Sequence, residues 1–160
     1  MKINFKKLAL AGVLAGVVLA PVSAVSADQD KVIAHRQANF AAIAKVAGNI
    51  SSILKGEVEN KESLVGLTKA LVALTDPNII VPSFKQDTRG SSIPNRGADK
   101  IWEDFAKFES GAVAMNKGAI KIADLAAKGE LVNMDPMGPT LFSTCGSCHR
   151  VENFRGPEIE

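Results

Sequence analysis

The sequence predicts an all-α protein, an antiparallel four-helix bundle, on three observations. Apolar residues recur at intervals of three and four in four separate segments of the 160-residue chain, which is the period of one helix face. No stretch alternates apolar and polar residues as a half-buried strand would. Three connections, one of them long, separate the segments, and helix-stopping residues stand at their ends. Aromatic residues are sparse, with seven Phe, one Trp and no Tyr, so the predicted core is mostly Leu, Ile, Val and Ala, which lets helices approach closely.

The chain opens with "MKINFKKLALAGVLAGVVLAPVSAVSAD". Lys2, Lys6 and Lys7 form a positive end, Leu8 to Ala20 an apolar run too short for a comfortable membrane span, and the small residues before Asp28 a cleavage site. Residues 1–27 are therefore expected to be a signal peptide. Cleavage is expected after Ala27, with Ala24 as the alternative and an uncleaved anchor as a third reading. Export sends residues 28–160, one domain by length, to the periplasm with no stable membrane insertion after cleavage. Losing three lysines turns 19 basic against 17 acidic residues into a slight acidic excess. No basic stripe interleaved with aromatics remains, which excludes nucleic acid as an expected partner.

The first helix is expected from about residue 30 to 55. Ile33, Phe40, Ala44, Ala47, Ile50 and Leu54 mark its apolar stripe, Arg36 and Gln37 are polar members of the same stripe, and Gly56 stops it. A second begins after Asn60, carries Leu64, Leu67, Leu71 and Leu74 on one face, and closes where Pro77 disfavours a helical Asp76. "DPNIIVPSFKQDTRGSSIPNRG" holds three prolines and reads as a long connection. Beyond it Ile101, Phe105, Phe108, Ala112, Met115, Ala119, Ile122 and Ala126 alternate by four and three, a bundle seam on a helix from about 99 to 128 that Gly129 ends. Asp135 stands where an N-cap belongs and Pro136 at the first helical position, so the fourth helix is expected to run to about Phe154.

That last helix carries "STCGSCHRVENF", with both cysteines of the chain in it. Cys145 and Cys148, three apart on a helix, project to nearly the same side with Cβ atoms about 5 to 6 Å apart. This suits two thioether bonds to the vinyl groups of one haem, with His149 turned onto the iron, and C-x-x-C-H is the attachment pattern of haem c, one covalent group per chain. Other readings of the pair are weaker. A dithiol oxidoreductase site is expected beside a βαβ pattern that is absent here. Structural zinc lacks ligands, since His35 is the only other histidine. A disulfide across so small a loop adds little stability.

These residues resemble the class II c-type cytochromes, the cytochrome c′ family, over most of residues 28–160. "CGSCH" matches the family's haem site, "DKVIAHRQANFAAI" looks like its first helix with its arginine, and "DKIWEDFAKF" is similar to the opening of its third. The resemblance implies a haem covered on its distal face by the residue four positions after that arginine, which is Phe40, with Arg36 near a propionate. Members with Met at that place look like six-coordinate low-spin electron carriers; members with an apolar residue leave the iron five-coordinate and open to small gaseous ligands such as NO and CO. The resemblance also implies one-electron exchange with an unidentified redox partner, and members are often homodimers paired through the first two helices. It further places a basic residue four positions after the haem histidine, where this chain has Asn153; Arg150 and Arg155 flank it, and Arg155 is the substitute.

The residues themselves bear on coordination. Helix 1 offers no methionine, and Phe40 has no donor atom. His35, five residues before Phe40, lies about 140° around the helix from it and is expected to face outward. Arg36 has a plainer alternative, snorkelling at the bundle edge. Met115 belongs to the core seam, while Met134 and Met137 lie beside the haem-bearing helix rather than opposite it. No catalytic acid, base or nucleophile can be named, so the chain reads as a haem protein that binds gas or moves electrons rather than as an enzyme.

Overall fold

A computed structural model describes residues 22–91 and 93–131, together with 145, 146, 148, 149, 154 and 155; residues 22–27 are described in backbone only. All regular elements among the described residues are helical: α1 (Val22–Leu54), α2 (Leu64–Leu74), α3 (Pro77–Phe84), α4 (Lys100–Glu103) and α5 (Phe105–Ala127). α2 packs against both α1 and α5, and α3 bridges α5 and α1. α1 continues unbroken through the expected cleavage positions. The predicted fourth helix lies outside the described residues except at Cys145 and Gly146, in α-helical geometry, and Cys148 and His149, in π-helical geometry; its expected cap at Asp135 and Pro136 falls outside them too.

The stop signals act as their chemistry requires. Gly56 and Gly129 each follow a helix at φ +73°, a conformation that strains residues with a Cβ. Ile43, Ile50 and Ile53 of α1 share one core cluster with Leu64 and Leu71 of α2, Ile33 is buried as well, and Ala44, given to the α1 stripe by spacing, is exposed. Over its length the α1 stripe runs through Ile43 and Ile53, one residue to the side of Ala44 and Leu54. On α5, Phe108, Ala112, Met115, Ala119, Ile122 and Ala126 are buried, so Met115 is core.

Two expectations change. The long connection is not loop throughout: it opens with α3. Asp76, extended at ψ 123°, ends α2, and its carboxylate caps α3 by accepting from Asn78 N at 2.8 Å, with Pro77 behind it. An Asp-Pro pair that stops one helix starts the next. The third predicted helix is interrupted at Asp104, whose backbone leaves helical geometry and whose side chain accepts from Lys107 N at 3.2 Å to begin α5. The seam survives the break because Ile101 before it and Phe108 after it stay buried.

A polar clasp joins α5 to the end of α2. Asn116 donates to Val72 O at 2.9 Å and to Thr75 Oγ1 at 3.0 Å, and Thr75, fully buried, donates in turn to Leu71 O at 2.8 Å. Truncating Asn116 leaves a carbonyl and a hydroxyl with fewer partners in a half-dry place. Asn116→Ala is expected to cost about 1 to 2 kcal/mol, read as a lower denaturant midpoint with an unchanged slope; a loss below about 0.3 kcal/mol would mean that water replaces the amide.

Candidate functional site

α1 sets two side chains one turn apart on its inner face, Arg36 and Phe40. Arg36 is only 5% exposed, which excludes the snorkelling alternative. Its guanidinium donates through Nε to Ser83 O at 2.7 Å, through one terminal nitrogen to Thr88 Oγ1 at 2.6 Å and through the other to Gln86 O at 2.7 Å. It also lies 4.4 Å from the centroid of the Phe84 ring and 5.5 Å from that of Trp102, where the π faces are attractive to a cation. Burial lowers its pKa to about 10, against the opposing charge of Asp87, so it stays cationic at neutral pH. Three of the five N–H donors of a guanidinium are engaged.

Polar side chains of α1 thus order the connection after α3, although Gln37, given to the stripe by spacing, is exposed. Gln37 Nε2 reaches Pro94 O at 3.0 Å and Gln29 Nε2 reaches Asp87 O at 3.3 Å, flanking the three bonds from Arg36. Trp102 Nε1 closes the arrangement by donating to Phe84 O at 2.9 Å. His35 is exposed and shares a 3.2 Å hydrogen bond with Asn39, on the opposite side of α1 from Phe40.

From Phe40 a row of aromatic rings crosses the interior: Phe40 to Phe84 at 6.1 Å, Phe84 to Phe108 at 4.7 Å, and Phe108 to Phe154 at 5.7 Å between centroids. The first and last pairs meet edge to face, a favoured arrangement. Phe154, buried, donates its amide to Cys148 O at 3.0 Å, so the row ends beside C-x-x-C-H. The connection grips the same point: Ala98 N donates to Phe154 O at 3.1 Å, and Gly97 and Arg155 form an antiparallel bridge.

Cys145 and Cys148 are half-buried thiols with no disulfide. Burial first, and the neighbouring Cys148 second, push the Cys145 thiol above its ordinary pKa, which slows its oxidation to a disulfide and keeps the S–H intact. His149 is exposed, yet partial burial of the ring lowers its pKa, with the positive charges of Arg155 and then Arg96 adding to the effect. A lowered pKa favours the neutral imidazole, the form that binds a metal. The looser π-type winding at Cys148 and His149 departs from the regular helix assumed from the spacing, and such turns recur at functional sites. Two reduced thiols, a neutral imidazole and an aromatic interior suit a flat apolar macrocycle with an iron at its centre.

Arg155 is near enough to influence His149, as its position beside Asn153 suggested, whereas Arg96 was not anticipated. It lies in the long connection, and nothing in its local sequence signals a place near the chain end; only the backbone bridge at Gly97 brings it there. Asn153, Arg150, Met134 and Met137 lie outside the described residues.

Comparison with known proteins gives one family. A family model described as Cytochrome C′ matches residues 31–155. Cytochrome c′ of Rhodopseudomonas palustris is 32% identical over 150 residues, covering 93% of this chain and 97% of the relative. Among solved structures, cytochrome c′ from Thermochromatium tepidum superposes with a TM-score of 0.68 at 18% identity, over 81% of this chain and 97% of that one. Cytochrome c prime from Shewanella frigidimarina superposes with a TM-score of 0.64 at 23% identity, over 81% and 97%. The two solved structures share the fold, and the family match runs from within α1 to Arg155.

Proposed function

The chain belongs to the cytochrome c′ family of covalent haem c proteins, and from that premise we propose that it holds a five-coordinate haem that takes up small uncharged gases, NO or CO, on the side guarded by Phe40. Haem c supplies an iron that changes oxidation state by one electron and can accept one further ligand. Cys145 and Cys148 would fix the group to the chain, and His149 would supply a nitrogen ligand to its iron. Arg155 and Arg96 help to keep that nitrogen unprotonated. Arg36, already bonded to Ser83, Gln86 and Thr88, offers its remaining N–H groups to a propionate.

The observation that carries this reading is the ring of Phe40. It stands on the same face of α1 as Arg36, joins the aromatic row that leads to Cys148 and His149, and contains no donor atom. A carbon wall excludes water and gives no hydrogen bond to bound oxygen, so ligands that need none are favoured, provided they displace the ring sterically. Met115, the methionine weighed as a sulfur ligand within α5, packs in the bundle seam. One-electron exchange with a redox partner uses the same iron and is the accompanying role. The exported form is expected to begin at Asp28 and to work in the periplasm, and pairing through α1 and α2 is the expected dimer.

An optical spectrum of the reduced protein tests the coordination. Five-coordinate iron gives broad high-spin Soret and α/β features, and sharp low-spin bands in the wild type would overturn the reading in favour of the electron carrier. Phe40→Met adds a thioether to the wall and is expected to convert the spectrum to low spin. A Met variant that stays high-spin would remove Phe40 from the distal face.

A further inference from the structure

We infer that Gly111 is a positioning residue for the thioether of Cys148: the side chain it lacks is the space into which the sulfur fits. This rests on the proposal that Cys148 holds haem. Gly111 lies within α5, where glycine is a poorer helix former than alanine, and its φ is not positive, so backbone geometry does not call for it. A Cβ built there would stand 2.9 Å from Cys148 Sγ, well inside the separation at which non-bonded atoms attract. At Gly48 in α1 and Gly66 in α2 an added Cβ would meet nothing within 4 Å. Of these three helical glycines, only Gly111 shows the close approach.

One turn earlier on α5, Phe108 meets Phe154 edge to face at 5.7 Å, and Phe154 N donates to Cys148 O at 3.0 Å. Two contacts thus seat the C-terminal segment on a single turn of α5, one through a ring and one through the absence of a methyl group. Their consequences differ with the state of the sulfur. An unattached thiol escapes an added methyl by rotating about its one side-chain torsion. When the Cys148 S–H adds across a haem vinyl group, the sulfur bonds to one vinyl carbon, the hydrogen passes to the other and nothing leaves. Cys145 and His149 then hold the same macrocycle, and the sulfur has no other rotamer. Crowding at position 111 therefore acts on attachment and not on folding.

The test compares wild type, Gly111→Ala, and Gly111→Ala combined with Cys148→Ala, each exported and matured with haem and also prepared as apo chain. Intact mass gives haem per chain, and the reduced pyridine haemochrome band separates two thioethers from one. Gly111→Ala is expected to show a several-fold fall in doubly attached product, with singly attached haem retaining a vinyl group in its place, and an apo thermal midpoint no lower than wild type. Doubly attached haem at wild-type yield would overturn the role of Gly111 alone. So would an apo midpoint lowered equally with and without Cys148, which would mark the glycine as a packing residue for something else. A wild-type chain without haem mass would take the functional proposal down together with this one.

Discussion

His149→Ala is expected to abolish the five-coordinate spectrum outright, while haem stays bound through Cys145 and Cys148. On the ligation proposed above, the two covalent bonds and the bond to iron are separate, so removing the imidazole would strip the iron of its protein ligand without releasing the macrocycle. Among the described residues, few replacements are at hand. His35 is exposed on the far side of α1 and bonded to Asn39, and Met115 is locked in the α5 seam. Added imidazole should restore the original features, since the vacated position lies at an exposed residue open to a small ligand. The check is the reduced spectrum with and without imidazole, beside an intact mass showing retained haem. An unchanged spectrum would show that His149 never held the iron.

Arg36→Leu should be the most damaging substitution away from C-x-x-C-H. It removes three hydrogen bonds from a buried cation and strands Ser83 O, Gln86 O and Thr88 Oγ1, the last on a residue 1% exposed. It also removes a charge stacked between Phe84 and Trp102. Hydrogen bonds to charged groups contribute more than neutral ones, and losing this set is expected to cost about 3 kcal/mol, a fall in thermal midpoint on the order of 10 °C for a domain of this size. Arg36→Lys keeps the charge but cannot span three acceptors with one ammonium, so it should recover only part of the loss. Denaturant unfolding followed by the fluorescence of Trp102, the chain's one tryptophan, measures both. If Arg36 also binds a propionate, the loss will be larger in the haem-loaded protein than in the apo chain; equal losses would confine its role to the connection. A cost below about 1 kcal/mol in either form would mean that water satisfies the three acceptors.

The sequence made the bundle legible wherever one residue type had one reason to be present. The α5 seam is written in a four-three spacing that only a helix satisfies, and Gly56 and Gly129 end helices because glycine adopts a left-handed backbone without strain. α3 is hidden by Asp76-Pro77, which carries the same cap signature as Asp135-Pro136 while ending α2: one pair serves as both stop and start. The interruption at Asp104 leaves no trace in the seam, because Ile101 before it and Phe108 after it are both buried. At the site, the spacing of the cysteines and His149 carries the haem-attachment pattern, and the family resemblance singles out Phe40 by its place after Arg36; their roles are those proposed above. Gly111 and Arg96 carry no such signal, since each matters through a neighbour far along the chain, and such pairings leave no local pattern. Arg36 shows the intermediate case: counting it within the α1 stripe was right, but spacing cannot say that the carbonyls of a later turn would come to meet it.

The grip of Gly97 and Ala98 on Phe154 and Arg155 bears on the order of maturation. It closes a large ring of chain, and contacts between distant positions form late because the entropy of closing the ring must be met first. α1, α2 and α5 pair through more local contacts and need not wait for it. In the exported chain proposed above, the terminal segment would also be the last to emerge, so its thiols would stay reachable while the earlier helices pair. Attachment of the cofactor is best timed to that interval, before the ring shuts and the sulfur of Cys148 settles against α5.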